Sequence, residues 1–88
     1  MTYIYKPQGV CSREIIIDVD KNIIKNIKVI NGCDGNLKGI SKLLIGMDMN
    51  EVISKLKGIK CGYKNTSCPD QIAIALEKIK NGELKINV

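Results

Sequence analysis

The segment that decides the fold is Glu14-Ile-Ile-Ile-Asp-Val-Asp-Lys-Asn-Ile-Ile-Lys-Asn-Ile-Lys-Val-Ile-Asn31, which predicts a β-hairpin. Every second residue from 15 to 19 is Ile or Val, and this alternation is the period of a strand. A turn over 20–22 follows, because Asn tolerates the left-handed backbone region. β-branched residues then resume from Ile23 to Asn31, so the two segments predict an antiparallel pair. Thr2–Lys6 predicts a short edge strand beside them.

Three stretches after the hairpin have helical spacing. The first is marked by five apolar residues: Leu37, Ile40, Leu43, Leu44 and Met47. The second starts with the capping-box spacing of Asp48 and Glu51 and ends at Gly58. The third runs from Cys68 to about Lys80, and the alternation in Leu84–Val88 then predicts a short strand or a frayed end. Strands followed by helices predict an α+β domain, with three helices packed on one face of a small antiparallel sheet.

Composition restricts the function classes. The chain has 88 residues, a net charge of +5 and no His, Phe or Trp, so we expect one domain over residues 1–88 with a core of Ile, Leu and Val. We expect a cytoplasmic protein, because there is no signal peptide and no apolar run approaches the roughly 18 residues of a membrane span. The lysines are spread along the chain and stacking aromatics are scarce, so we expect no nucleic-acid partner.

The string Thr66-Ser67-Cys68-Pro69-Asp70 places a cysteine at the start of the third helix. Proline suits the first turn, where its missing N–H is not needed, and an acidic residue favours the positive end of the helix dipole. The other cysteines, Cys11, Cys33 and Cys61, lie in predicted turns. With helices returning across one face, Cys11 and Cys33 are predicted neighbours. Cys61 and Cys68 close on them if the last helix starts at that end.

Four converging thiolates form a tetrahedral soft-ligand site. We therefore predict Cys11, Cys33, Cys61 and Cys68 as ligands of a metal, with zinc ranking ahead of an iron–sulfur cluster. Two alternatives stay open: the cysteines are buried as small apolar residues, or Cys61 and Cys68 form a redox pair. The chain has no C-x-x-C pair, which is the usual sequence mark of both zinc sites and redox pairs. No catalytic residue is predicted, since helix capping accounts for Asp34 and Asp70.

The sequence resembles the small stand-alone proteins of the TSCPD-domain family over nearly its whole length. The resemblance is carried by Gly9-Val10-Cys11-Ser12, Gly32-Cys33-Asp34-Gly35-Asn36-Leu37, Gly58-Ile59, Cys61-Gly62 and Thr66-Ser67-Cys68-Pro69-Asp70-Gln71. Related domains occur at the C-terminus of cobalamin-dependent ribonucleotide reductases, and such proteins tend to be labelled ribonucleoside-diphosphate reductases. That reaction needs a large barrel, a radical-generating cofactor and a substrate site. The resemblance therefore implies an accessory module with a protein partner, such as a ribonucleotide reductase, or a thiol-redox protein that re-reduces it. Pairing along an exposed sheet edge would also allow a homodimer.

The cysteine layout is also similar, more distantly, to iron–sulfur scaffold proteins of the NifU and IscU type. By that resemblance Cys11, Cys33 and Cys68 match the scaffold cysteines, and the fold is expected to be NifU/IscU-like. Two positions depart from the scaffold pattern: Arg13 replaces a carboxylate, and Ser67 replaces a residue that is often histidine. With Cys61 as a fourth ligand, the resemblance implies a closed structural site rather than an open assembly site.

Overall fold

The computed structural model of the chain describes residues 1–7, 9, 13–30, 34–60 and 65–83, and for residues 34–37 it describes the backbone alone. Three strands and three helices follow one another in these ranges. They are β1 Thr2–Tyr5, β2 Glu14–Asp20, β3 Ile23–Ile30, α1 Asp34–Leu44, α2 Met49–Leu56 and α3 Cys68–Lys80. The predicted α+β class is confirmed. The predicted tail strand Leu84–Val88 lies outside the described residues.

The sheet is an antiparallel meander in the order β1-β2-β3. Ile17 is its central residue, since it pairs with Tyr3 of β1 and with Ile27 of β3. The β2–β3 connection is a two-residue turn in which Lys21 and Asn22 have φ angles of 51° and 66°. Two consecutive residues with positive φ give the turn a twist that matches that of the flanking strands. The predicted hairpin is therefore confirmed, and a lysine adopts the left-handed conformation beside the expected asparagine.

A bulge in β3 changes the alternation that the sequence predicts. Asp18 pairs with Asn26 and Val19 pairs with Ile24, so Lys25 is an extra residue without a partner in the register. A bulge of this kind adds one residue to one strand and shifts the faces of the residues beyond it. Ile24 and Ile27 are three positions apart and are both buried on the same side.

The core lies between one face of the sheet and the three helices. From the sheet it contains Ile15, Ile17, Val19, Ile24 and Ile27; from the helices and their junctions it contains Leu44, Met49, Val52, Ile72, Ala75 and Leu76. Burying apolar area of this kind is the main favourable term in folding. Because every sheet residue in the list belongs to one face, the prediction that the helices pack on one side is confirmed.

One predicted core residue of α1 is in fact exposed. The helix buries Ser41 and Leu44, whereas Leu43 is 76% exposed. At 3.6 residues per turn, Ser41 and Leu44 share a side of the helix. Leu43 is rotated by about 100° from Leu44 around the helix axis, away from Ser41. The inclusion of Leu43 in the predicted apolar stripe was therefore wrong. Leu37 lies among the residues whose side chains are not described.

The two ends of the sheet receive different helix termini. At the end with the Lys21–Asn22 turn, which we call the turn end, the α1–α2 connection and the first residue of α2 are bonded to the hairpin. Ile24 N donates to Met47 O at 3.0 Å, and Met49 N donates to Asn22 O at 2.8 Å. The other end, which we call the Cys68 end, contains Tyr5, Glu14 and Ile30. Since β3 leaves the sheet there and α1 follows it, α1 starts at the Cys68 end.

Candidate functional site

The start of α3 is fixed by the serine of the Thr-Ser-Cys-Pro-Asp string. Ser67 has extended backbone angles, and its Oγ accepts a hydrogen bond from Asp70 N at 3.1 Å, which makes it the N-cap. The helix therefore begins at Cys68, with Pro69 in the first turn, as the sequence predicts. Cys68 is half-buried.

Asp70 does not cap its own helix, contrary to the expectation from sequence. Its carboxylate bonds two groups outside the helix: Oδ1 accepts from Gly58 N at 2.7 Å, and Oδ2 accepts from the Thr66 hydroxyl. The residue is only 6% exposed. The capping explanation fails because Ser67 already bonds the amide that a cap must satisfy, so the carboxylate is available for contacts outside α3.

The same helix start makes a second contact with the chain that follows α2. The Ser67 hydroxyl donates to Ile59 O at 2.6 Å, across a separation of eight residues. Gly58, which has a φ of 90° and follows the end of α2, is bonded to Asp70 as described above. Two adjacent residues that lead towards Cys61 are thus bonded to the first turn of the helix that carries Cys68.

A chain of polar side chains joins this region to the sheet. Tyr5 OH donates to Gln71 Oε1 at 3.0 Å, and Gln71 Nε2 donates to Thr66 Oγ1 at 2.9 Å. Burial raises the pKa of the Tyr5 phenol above its ordinary value of 10.0, and the negative charge of Asp70 raises it further. Since Tyr5 is the last residue of β1, these bonds place the start of α3 at the Cys68 end of the sheet.

Two further contacts are made by residues that are close in the sequence to the predicted ligands Cys11 and Cys33. Arg13 N donates to Ile30 O at 2.7 Å, which extends the β2–β3 pairing by one step beyond Glu14. Gly9 has a φ of 73°, and a Cβ placed on it would lie 3.1 Å from Cγ2 of Thr66. Glycine suits this position for both reasons, since L-residues rarely adopt that φ and the space beside Thr66 is tight.

Of the four predicted ligands, Cys68 alone belongs to the described residues; Cys11, Cys33 and Cys61 lie outside them. The metal site therefore stays a prediction. Within the described ranges, no group of three or more cysteine, aspartate or glutamate side chains is placed to hold a metal ion. The structure does bring together residues that flank the four cysteines: Gly9 with Thr66, Arg13 with Ile30, and Ile59 with Ser67. The side chain of Asp34 is not described.

A comparison with protein-family models identifies the chain: the model of the TSCPD domain matches residues 2–80. The chain belongs to the TSCPD domain family. The letters of the family name are those of residues 66–70, which form the N-cap and first turn of α3 in this TSCPD domain. The resemblance noted from the sequence is thereby confirmed.

Two other comparisons give no relatives for this TSCPD domain: no curated protein and no solved structure matches it. Its likeness to NifU and IscU scaffolds and its link to ribonucleotide reduction stay predictions. No helix in the described ranges combines the length and the apolar composition needed to cross a bilayer.

Several residues of this region of the TSCPD domain carry roles that the sequence did not predict. They are Tyr5, Gly58, Thr66 and Gln71. The local sequence holds one signal for them, the spacing of Thr66, Ser67 and Asp70 around a helix start. Their partners are remote: Tyr5 and Gln71 are 66 positions apart. Local patterns do not report contacts of that separation.

Proposed function

We propose that this TSCPD domain is a zinc-binding accessory or interaction module, with the metal held by the thiolates of Cys11, Cys33, Cys61 and Cys68. One observation carries the proposal: described contacts next to all four cysteine positions gather at one end of the fold. That end is where α3 starts beside Tyr5 and where β3 leads into α1. The thiols of Cys61 and Cys68 can reach those of Cys11 and Cys33 only if α3 starts at this end of the sheet.

The reach of the covalent chain supports convergence of Cys11 and Cys68. Each is two residues from one member of the Gly9–Thr66 contact, in which a Cβ on Gly9 would be 3.1 Å from Thr66 Cγ2. Two residues of chain span at most about 7 Å. Thiolates bound to one zinc ion, with each Zn–S distance about 2.3 Å, require separations that such short tethers allow.

The other two cysteines are tethered in a comparable way. Cys33 is three residues beyond Ile30, whose carbonyl accepts from Arg13 N at 2.7 Å, and Arg13 is two residues beyond Cys11. Cys61 is two residues beyond Ile59, whose carbonyl is bonded to the residue before Cys68. Each predicted ligand is thus two or three residues along the chain, or fewer, from a contact with the segment that carries another predicted ligand.

The chemistry of the donor set favours zinc. Four thiolates and no histidine match a closed structural site, in which the metal contributes folding energy directly. A core without Phe or Trp has limited apolar area, so a metal that fastens two helix starts to the sheet adds stability where the fold needs it. An iron–sulfur cluster ranks second, because Arg13 and Ser67 depart from the scaffold pattern.

The accessory role rests on family resemblance. A chain of 88 residues is too short for ribonucleotide reduction, so the proposed partner is a larger protein, with a ribonucleotide reductase as the first to test. A second copy of the chain is an alternative partner. The proposal sets the protein in the cytoplasm, where thiols are kept reduced and cysteine clusters serve metals more often than structural disulfides.

The decisive experiment is elemental analysis of protein purified without added metal, combined with thiol counting before and after chelation. We expect about one zinc per chain and four thiols released by the chelator. Each single Cys→Ser variant should lower the zinc content, whereas the control Val52→Ala, which opens a cavity in the core, should keep it. No metal together with four reactive thiols would overturn the proposal.

A second candidate function is thiol–disulfide exchange between Cys61 and Cys68. It is favoured by the hydrogen bond from Ser67 to Ile59 O, which closes the base of the loop between the two cysteines. A redox pair should survive chelation and should cycle with a dithiol reductant. Shielding of both thiols by a bound zinc ion would exclude this function.

A further inference from the structure

We infer that Asp70 is a positioning residue: with Thr66 and Ser67, it holds the chain that leads into Cys61 against the start of α3, where Cys68 lies. The inference rests on the proposed role of these two thiols, as metal ligands or as a redox pair. It goes further in assigning their proximity to hydrogen bonds made by the buried side chains of Ser67 and Asp70.

The geometry consists of two bonds from one helical turn to two adjacent backbone groups. Asp70 Oδ1 accepts from Gly58 N at 2.7 Å, and the Ser67 hydroxyl donates to Ile59 O at 2.6 Å. One bond uses an amide and the other uses a carbonyl, so both the position and the direction of the chain are fixed.

Because the side chains of Ser67 and Asp70 are buried, each needs its protein partner. Ser67 is 4% exposed and Asp70 is 6% exposed, so water cannot replace a lost partner without cost. The bond to Gly58 also follows directly on the end of α2, where Gly58 takes a positive φ of 90°. The direction in which the chain leaves α2 is therefore set by the carboxylate of α3.

The orientation of the Thr66 hydroxyl is determined by its neighbours. Gln71 Nε2 donates to Thr66 Oγ1 at 2.9 Å, while Tyr5 OH donates to Gln71 Oε1 at 3.0 Å. The hydroxyl of Thr66 therefore donates its proton to Asp70 Oδ2, which accepts it. This chain of donors fixes the rotamer of Asp70 from the sheet side, which is what a positioning residue requires.

A helix cap alone does not explain the arrangement. The amide that an N-cap satisfies is bonded to Ser67, and in α2 the corresponding task is done by Asp48, whose Oδ1 accepts from Asn50 N at 2.8 Å. The carboxylate of Asp70 takes part in neither bond. Its contacts are to residues 58 and 66, which lie on either side of Cys61 in the chain.

The experiment measures how strongly Cys61 and Cys68 favour each other in the metal-free full-length chain. In glutathione buffers, two thiols and one oxidised glutathione give the intramolecular disulfide and two reduced glutathiones, and the equilibrium gives an effective concentration. Trypsin cuts after Lys60, Lys64 and Lys78, so the pair is identified by mass spectrometry as two linked peptides.

We expect Asp70→Ala and Thr66→Val to lower this effective concentration by about tenfold. Asp70→Asn should retain most of it, because the amide oxygen still accepts from Gly58 N. Val52→Ala is the control for lost stability, since it leaves the bonds to residues 58 and 59 intact. Circular dichroism checks that each variant is folded, and Thr66→Val serves if Asp70→Ala does not fold.

An unchanged effective concentration in folded Thr66→Val or Asp70→Ala would overturn the inference, as would absence of the Cys61–Cys68 disulfide in the unsubstituted protein. The zinc proposal fails separately. A chain that binds no zinc but loses effective concentration on substitution keeps the inference and discards the metal. A chain that binds zinc through four thiols with no such loss does the reverse.

Discussion

The turn end and the Cys68 end of the domain are joined to the helices by different kinds of hydrogen bond. At the turn end the bonds run from backbone to backbone, as between Ile24 and Met47. At the Cys68 end they come from side chains: Tyr5, Thr66, Ser67, Asp70 and Gln71. Backbone bonds survive most substitutions, whereas side-chain bonds require particular residue types. The Cys68 end is therefore the part of the fold whose geometry is specified residue by residue.

Asp70→Ala is expected to cause the largest loss of stability, because it removes side-chain bonds of the Cys68 end. The substitution removes the acceptor of two donors, Gly58 N and the Thr66 hydroxyl, in a place where Asp70 itself is 6% exposed. A hydrogen bond to a carboxylate contributes about 1.5–3 kcal/mol, and both of these bonds are partly buried. We expect the free energy of unfolding to fall by about 2–4 kcal/mol, measured by urea unfolding followed by circular dichroism.

The matched control is Asp48→Ala, which removes an aspartate from the turn end. Asp48 accepts one exposed hydrogen bond, from Asn50 N at 2.8 Å. Loss of an N-cap of this type costs about 1 kcal/mol, and the backbone bonds around it remain. Equal losses of stability for the two variants would remove the distinction between the ends.

Tyr5 offers a pH-dependent test of the Cys68 end. Its phenol has a pKa raised above 10.0, first by burial and then by the charge of Asp70, so it keeps its proton to higher pH in the folded chain than in the unfolded one. The stability that it contributes is fully present below about pH 10 and is lost as pH rises through the folded pKa. We expect Tyr5→Phe to cost about 1 kcal/mol at pH 8. The difference from the unsubstituted protein should shrink above about pH 10, in urea unfolding across that range.

The comparison of two proteins at each pH cancels the titration of the lysines, which occurs in both. Tyr3→Phe, on the same strand, is the matched control at pH 8, because the Tyr3 hydroxyl makes an exposed contact with the Met1 sulfur at 3.6 Å. A Tyr5→Phe difference that stays constant to pH 11 would contradict the raised pKa of this phenol.

Much of the fold could be predicted from sequence because its signals are local. Alternating Ile and Val predicted the hairpin, and Ser67 with Pro69 marked the start of α3. The bulge at Lys25 could not be predicted, since it depends on which residues of β2 and β3 face each other. The exposure of Leu43 was missed for a related reason: helical spacing indicates a stripe but does not show where a neighbouring element ends.

The candidate site was less predictable, because its bonds connect distant positions. The string around Cys68 indicated a helix start correctly, but the carboxylate of Asp70 was assigned to that helix, whereas its partner Gly58 is twelve residues away. The bond from Tyr5 to Gln71 could not be predicted, because a tyrosine in an edge strand can also pack or face solvent. The prediction of four metal ligands remains untested, as Cys11, Cys33 and Cys61 lie outside the described residues.

The smallest loss of stability is expected from breaking the exposed ion pair of Lys57 and Glu77. This pair tests whether the Cys68 end depends on the burial of its side-chain bonds or only on their polarity. Lys57 Nζ lies 2.6 and 2.9 Å from the two carboxylate oxygens of Glu77, so this pair also links the end of α2 to α3 through side chains. However, the two side chains are 51% and 37% exposed. Exposed ion pairs contribute about 0.2–1 kcal/mol and are screened by salt. We expect Lys57→Met to cost about 0.5 kcal/mol at low salt and almost nothing in 1 M NaCl, by urea unfolding.

A double-mutant cycle with Glu77→Gln isolates the coupling of the pair from the loss of the lysine stem. The cost of Asp70→Ala should stay nearly constant over the same salt range, because its partners, a backbone amide and a hydroxyl, are uncharged. If the Lys57–Glu77 coupling equalled the cost of losing Asp70, any polar link between α2 and α3 would serve. A small, salt-sensitive coupling would instead show that water exclusion around Asp70 gives the Cys68 end its specific geometry, since the two links join the same pair of helices.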